Sequence, residues 1–170
     1  KYHNKLSLDD SLFVDKDFLS LSDDMQQDVA LIAKLVRDAD KLDNYLLHSR
    51  FGHVRCLVNS IDSLVFNSSV LEAVFSQKPV HLHLVSSFSV CDFILILLCW
   101  QYDIYFETTK KITKEHKINE FFVRELYRCA DIYYHKLQGT LDEQEVGSLY
   151  ARFLEKIDVV ERELGNQGLL

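Results

Sequence analysis

The chain has 170 residues, 48% of them hydrophobic, which is enough for one domain with a buried core and excludes a disordered segment. The formal net charge of −7 argues against nonspecific binding to nucleic acid or to an anionic membrane. The negative charge does not exclude a small anionic substrate if cationic side chains or a metal lie at its binding site. The chain has only one proline and five glycines, the residues that most often interrupt helices, so the composition favours long helices.

Periodicity and capping residues predict a series of helices. In chain order they cover about residues 23–48, 70–77, 90–102 and 119–137, and a final helix begins at a capping box over residues 140–143. Residues 49–60 read as a connection with a short turn of helix, and residues 104–116 as a continued helix or a second helix after a kink. Gly165 is the expected C-cap residue, with the last five residues frayed. The prediction is one all-α domain over residues 1–170.

The first of these helices carries an apolar face whose members recur at spacings of three, four and seven. They are Val29, Ile32, Ala33, Val36, Ala39 and Leu46. At roughly 100° per residue, Asp40 falls on this face between Val36 and Ala33. Asp43 lies close to Ile32 on the same face. A buried carboxylate is costly unless it is paired, hydrogen-bonded or bound to a metal, so both aspartates are candidate functional groups.

An alternative for the two aspartates stays open. Asp40 and Asp43 could lie at a frayed helix end, turned to solvent or paired with Arg37 or Lys41. The pattern alone does not separate this interpretation from a functional site.

The cysteines and the apolar runs predict a cytoplasmic protein without a membrane span. The four cysteines form no C-x-x-C pair and lack zinc-type spacing, so we expect reduced, mostly buried thiols. They are Cys56, Cys91, Cys99 and Cys129. No secretory signal is visible. The most apolar run, residues 93–100, is far shorter than the roughly 20 residues of a membrane span and predicts a central core helix.

Two further groups of residues are weaker candidates. His81 and His83 lie in an alternating stretch that reads as a strand or, preferably, an extended loop, and with no third ligand nearby a packed or exposed pair is favoured over a metal site. Four lysines form a candidate anionic-ligand patch, although a solvated helix face diluted by glutamates is the favoured interpretation. They are Lys110, Lys111, Lys114 and Lys117.

The segment Arg37–Asp43, Arg-Asp-Ala-Asp-Lys-Leu-Asp, resembles the last motif of the HD superfamily of metal-dependent phosphohydrolases. Asp40 stands at the position of the family's final metal-binding aspartate. Tyr2, His3 and Asn4 resemble the histidine-bearing phrase that precedes this helix, where the histidine is an additional ligand in two-metal branches. Residues 89–106 resemble the C-terminal helical portion of bacterial members.

The resemblance implies an HD-domain-like helical bundle, in which residues 1–48 carry the motifs and residues 49–170 form the C-terminal helical portion. It implies a divalent metal ion, Mn, Mg or Fe, bound by Asp40 and His3, and a small phosphorylated substrate. Lys41 or Arg37 would contact the substrate phosphate. Asp38 and Asp43 would support the ligands or pair on the helix surface.

The chain departs from the family in one respect, because the dipeptide His-Asp occurs nowhere in the sequence. The chain therefore resembles either the C-terminal portion of an HD protein cut just before His3, or a degenerate member. Two functions follow as hypotheses. The first is part of a metal-dependent phosphohydrolase acting on a phosphoester, with nucleotides among the candidate substrates. The second is a non-catalytic helical module that binds a ligand or a partner.

Overall fold

The computed structural model describes residues 16–50, 52–80 and 89–170, and in this part of the chain the helices are joined by loops and turns, with no strand. The all-α class predicted from the sequence is confirmed. The α-helices are α1 (Lys16–Leu19), α2 (Asp23–Arg50), α3 (His53–Asn59), α4 (Ser68–Phe75), α5 (Val90–Cys99), α6 (Glu107–Glu115), α7 (Ile118–Leu137) and α8 (Glu143–Asn166). A 3-10 helix, Trp100–Asp103, follows α5 directly.

Helix α5 lies at the centre of the core, as its apolar sequence predicts. Eight of its ten residues are buried, on every side of the helix, and it packs against α3, α4 and α7. A capping box starts it: the Asp92 backbone N–H donates to the Ser89 hydroxyl (3.1 Å), and the Ser89 backbone N–H donates to the Asp92 carboxylate (2.9 Å). The same carboxylate accepts from the Asn67 backbone N–H at 2.6 Å. Asp92 therefore ties the start of α4 to the start of α5.

Helices α7 and α8 form a hairpin that covers the core. Each helix turns an apolar stripe to the core, with Phe122 of α7 and Phe153 of α8 buried. The ring of Phe153 stacks on Phe66 with centroids 4.7 Å apart. Leu149 has helical spacing from Phe153 but is exposed.

The predicted start of α8 is wrong. Asp142, not Thr140, is the N-cap residue, and its carboxylate accepts from the backbone N–H groups of Gln144 and Glu145. The Thr140 hydroxyl instead donates to the Leu137 carbonyl at 2.8 Å. A carboxylate at the N-cap is also favoured by the helix dipole, so two adjacent capping candidates compete and the aspartate is used.

The predicted end of α8 is wrong as well. The helix continues through Gly165 to Asn166, and the left-handed residue that ends it is Gly168, with φ of 70°. The Leu169 backbone N–H then donates to the Leu164 carbonyl at 3.0 Å, which closes the turn. Leu169 and Leu170 pack against the core rather than fraying.

Several smaller predictions can be compared with the structure. Asn67 caps α4 by accepting from the Ser69 backbone N–H at 3.0 Å. Residues 104–116 contain a separate helix, α6, and not a continuation of α5. Three of the cysteines are buried and Cys56 is exposed. His81 and His83 lie outside the described residues, as does His3.

Helix α2 begins and ends close to the predicted bounds, but its predicted apolar face is only partly buried. Val29 and Ala33 pack around Phe18, and Leu46 packs against the main core. The apolar residues Ile32 and Val36 of this face are 59% and 48% exposed, and Asp40 and Asp43 are exposed too. The prediction that these carboxylates are buried is therefore wrong. The opposite face carries the buried residues, which are Arg37, Asp38, Lys41 and Tyr45.

Tyr45 anchors this buried face in the core. Its side chain is fully buried, and its hydroxyl donates to the Leu97 carbonyl of α5 at 2.9 Å. The rings of Trp100 and Phe122 are both close to the Tyr45 ring, each with its centroid 5.9 Å away. An aromatic ring with a satisfied hydroxyl in the core fixes the rotation of the C-terminal half of α2.

His48, near the end of α2, lies in surroundings that disfavour its charged form. Its ring packs edge-on against Phe93 at 5.2 Å, and its Nδ1 atom is buried with no hydrogen-bond partner in the described part of the chain. Burial, and then the charge of His53, lower the pKa of His48 below 6.5. As pH falls through 6.5, the unfolded chain takes up this proton before the native chain does, so stability is lost over the window between the two values.

We expect the substitution His48→Phe to remove this component of the acid sensitivity. The free energy of unfolding of the variant should fall less steeply between about pH 7 and pH 5, by at most about 1.4 kcal/mol per pH unit for the one proton. Urea denaturation across this range measures the slope. An NMR titration that gave His48 a pKa of 6.5 or above would contradict the explanation.

Candidate functional site

Two basic side chains of α2 converge on one aspartate of the 3-10 helix. The Arg37 Nε atom donates to Asp103 Oδ2 at 2.8 Å, and its Nη2 atom contacts the same oxygen. The Lys41 ammonium group contacts Asp103 Oδ2 at 2.7 Å and also the Asp103 carbonyl. We call these three residues the Asp103 cluster. Arg37 and Lys41 are neighbours on one face because they are four residues apart in a helix.

The Asp103 cluster is shielded from water. The side chains of Arg37 and Lys41 are 6% and 8% exposed, and that of Asp103 is 11% exposed. Burial lowers the pKa of Lys41 from its usual 10.5, while the hydrogen bond and the charge of Asp103 act in the opposite direction. The two cations and one anion therefore form a compact buried group in which both cations contact the same carboxylate.

Asp38 holds the chain segment that follows this cluster. Its carboxylate oxygens accept one hydrogen bond each from the backbone N–H groups of Tyr105 (3.0 Å) and Phe106 (2.9 Å). Asp38 is 1% exposed. Phe106 is the N-cap residue of α6 and offers no side-chain cap, so a carboxylate from α2 binds the backbone just before the helix instead. The face of α2 opposite Asp40 thus holds residues 103–106 in place.

Asp40 lies on the other side of the helix. Roughly 100° of rotation per residue places it on the exposed side with Ile32 and Val36. Its carbonyl accepts from the Asn44 side-chain amide at 2.8 Å, while no hydrogen bond or ion pair of its carboxylate is found within the described residues. A free carboxylate suits Mn, Mg or Fe as one oxygen ligand. Within residues 16–50, 52–80 and 89–170, no group of three or more histidine, cysteine, aspartate or glutamate residues is arranged to hold a metal ion.

The structure thus separates the residues that the sequence placed together. Arg37 and Lys41 meet at Asp103, whereas Asp40 lies on the exposed side of the helix and His3 lies outside the described residues. Metal binding by Asp40 and phosphate contact by Arg37 or Lys41 stay predictions. The sequence reasoning missed the roles of Asp38 and Asp103. The available signal was the four-residue spacing of the two basic residues on the face opposite the apolar stripe.

These contacts belong to a protein of the all-α class in which one side of the long helix α2 binds residues 103–106 and α5, while apolar side chains are exposed on another side. Scans of protein-family models, curated proteins and solved structures found no match to this chain. No helix in the described residues combines the length and the apolar character that crossing a membrane requires.

Proposed function

We propose that this chain is part of a metal-dependent phosphohydrolase of the HD type, in which Asp40 is a metal ligand. The observation that carries the proposal is the exposed face of α2. Here a free carboxylate, in the phrase Arg37–Asp43 that resembles the family's last motif, lies beside uncovered apolar side chains. We call this surface the open face and define it by Leu31, Ile32, Leu35, Val36 and Asp40.

The open face has the composition of a surface that is normally covered. Its four large apolar side chains are 48–59% exposed. They occupy consecutive turns of one helix, so they form a contiguous patch rather than scattered surface residues. Polypeptide packed on this patch would also remove water from Asp40. A desolvated carboxylate is costly unless it is hydrogen-bonded, paired or bound to a metal, and in the HD type it binds the metal.

The proposal assigns the remaining metal ligands to the polypeptide that covers the open face. In the HD type these are a histidine and a His-Asp dyad, and the 170 residues of this chain contain no such dipeptide. A bound divalent metal would neutralise phosphoryl oxygens and make water nucleophilic at neutral pH. The substrate class is a phosphoester, with nucleotides as candidates.

In this proposal the residues on the buried side of α2 position Asp40. Arg37 and Lys41 bind Asp103, and Tyr45 binds the carbonyl of Leu97. These contacts fix the rotation of α2 about its axis, so Asp40 is directed to the open side. Because Arg37 and Lys41 both form ion pairs with Asp103, either side chain could contact a substrate phosphate only if the Asp103 cluster rearranged.

Asp40→Ala in the intact protein tests the proposal. We expect bound metal to be lost and phosphoester hydrolysis to fall by at least about 100-fold, because a first ligand should matter at least as much as its supporting partners. The free energy of unfolding of the metal-free protein should change by less than about 0.5 kcal/mol, because the side chain is exposed. Metal analysis, a phosphoesterase screen and urea denaturation measure the three quantities.

Asp28→Ala is the matched control, because Asp28 is an exposed aspartate three turns earlier on the same helix. It should leave metal content and hydrolysis unchanged. Wild-type metal content and wild-type hydrolysis in the Asp40→Ala protein would overturn the assignment of Asp40.

The extent of the open face favours a second candidate function, a non-catalytic helical module that binds a partner. Exposed apolar residues continue toward the start of α2, where Met25 is 53% exposed, well beyond the turn that carries Asp40. This function predicts association without metal. A strictly monomeric protein with stoichiometric metal would contradict it.

A further inference from the structure

A cleft of about 570 Å³ lies away from the open face. It is bounded by the 3-10 helix, by α6, by the first turn of α7 and by the turn after α8. Among the described residues that line it, none belongs to α2. Its volume falls within the roughly 300–1,000 Å³ that small-molecule sites occupy.

The charged groups lining the cleft are mostly positive. Lys110, Lys111 and Lys114 of α6 line it, and Glu107 is the one acidic residue among the described residues of its wall. The spacing of the lysines, at positions i, i+1 and i+4, brings them to one side of the helix. In a protein with a net charge of −7, this concentration of cations in a concave site is a local reversal of sign.

The three ammonium groups have weak partners in the structure. Lys110 contacts Glu107 at 2.7 Å and Lys111 contacts Glu115 at 3.7 Å, both as exposed pairs within α6. Exposed pairs of this kind contribute little to stability, so a bound anion can replace them at small cost. The Lys114 ammonium group reaches across the cleft to the Gly168 carbonyl at 3.5 Å, the limit of a hydrogen bond.

The wall of the cleft contains a buried amide that is incompletely satisfied. Asn119 is 4% exposed, and its Nδ2 atom donates to the Leu169 carbonyl at 2.9 Å. Its Oδ1 atom has no hydrogen-bond partner among the residues that the structure describes. Unsatisfied buried polar atoms are rare and costly, and this one belongs to a residue that lines the cleft, as does the buried amide side chain of Gln101.

We propose that this cleft binds an organic phosphate of nucleotide size. The phosphate groups lie against Lys110, Lys111 and Lys114, and the uncharged part lies along the wall that contains Gln101 and Asn119. The volume favours a ligand larger than inorganic phosphate, and the buried amides favour one with its own donors and acceptors. A nucleic acid strand is disfavoured because the positive charge is confined to the cleft of an acidic protein.

This site goes beyond the proposed phosphohydrolase function and does not depend on it. Asp40 and the open face belong to α2, whereas the cleft is built from later parts of the chain. Binding in the cleft therefore requires neither the metal nor hydrolysis, and the two proposals can fail separately.

Calorimetric titration of the full chain with ADP, with pyrophosphate and with adenosine, all without metal, tests the proposal. We expect ADP to bind more tightly than pyrophosphate, and adenosine to bind least. Lys114→Gln should weaken ADP binding by about tenfold or more, because it removes a charge-assisted hydrogen bond. Lys117→Gln is the matched control, since it removes the same charge from a neighbouring lysine that does not line the cleft. It should change ADP affinity by less than about twofold, the effect of a screened surface charge.

Each other outcome overturns the proposal. An equal loss in the Lys114→Gln and Lys117→Gln proteins would show attraction to general surface charge. Equal affinity for pyrophosphate and ADP would show an anion site that does not recognise the organic part. No detectable ADP binding would exclude the site. Asp40→Ala should leave ADP binding unchanged, and a loss there would place the ADP on the open face instead.

Discussion

Replacing Asp103 with alanine is expected to lower the free energy of unfolding by about 3–5 kcal/mol, the cost of removing one member of a buried ion pair. Asp103 is the shared acceptor of Arg37 and Lys41, and all three side chains are nearly inaccessible to water. The variant would keep two desolvated cations close together without the carboxylate that both of them contact. Urea denaturation followed by circular dichroism measures the difference.

Two controls separate this effect from a general response to substitution. Asp43→Ala removes an exposed carboxylate from α2 and should change the free energy of unfolding by less than about 0.5 kcal/mol. Combining Asp103→Ala with Arg37→Met and Lys41→Met should recover part of the lost stability, because the two buried cations that contacted Asp103 are gone. A loss below about 1 kcal/mol for Asp103→Ala alone would show that the cations find other partners or water.

Asp38→Ala is expected to lower the free energy of unfolding by about 2–4 kcal/mol, because two backbone N–H groups lose their charged acceptor. Those groups belong to Tyr105 and Phe106, directly before α6. Hydrogen exchange gives a local measurement, since both amides should exchange faster than those of α7. Asp38→Asn should have a smaller effect because the side-chain amide keeps one acceptor oxygen.

Asp38→Ala and Asp40→Ala should change different properties of the protein. Asp38 and Asp40 are two residues apart on one helix, and one is buried while the other is exposed. We expect Asp38→Ala to affect stability and Asp40→Ala to affect metal binding. Continued protection of the Tyr105 and Phe106 amides in the Asp38→Ala protein would contradict the role assigned to Asp38.

The existence of α2 could be predicted from local sequence, but its orientation could not. Periodicity and the Ser22–Asp24 start signal place the helix at residues 23–48, and the structure has Asp23–Arg50. The periodicity also identifies an apolar face correctly. Whether that face is covered depends on what packs against it, and in the described residues the side with Arg37 and Tyr45 is buried instead.

The Asp103 cluster could not be derived from the sequence for a different reason. Asp103 lies 66 residues after Arg37 and 62 after Lys41. Helical periodicity relates residues within one or two turns, so it carries no information about a contact of this range. The pairing exists because α2 and α5 pack through Tyr45 and Leu97, which brings the 3-10 helix against the basic side of α2.

The first and last residues of α8 also could not be predicted from the local sequence. Thr140 and Asp142 are both acceptable N-cap residues, and Gly165 and Gly168 are both acceptable terminating residues. In each case the structure uses the second candidate. The packing of Leu169 and Leu170 on the core favours the longer helix, and this contribution is not visible in a capping pattern.

The amino-acid sequence by itself determined the all-α class, the position of most helices and the central place of α5, because these follow from short-range periodicity, capping and apolar content. Tertiary structure alone decided which side of α2 is buried, that Arg37 and Lys41 share Asp103, and that three lysines of α6 line a cleft. The physical reason is that burial and ion pairing are properties of two surfaces in contact. A single segment of sequence specifies only one of them.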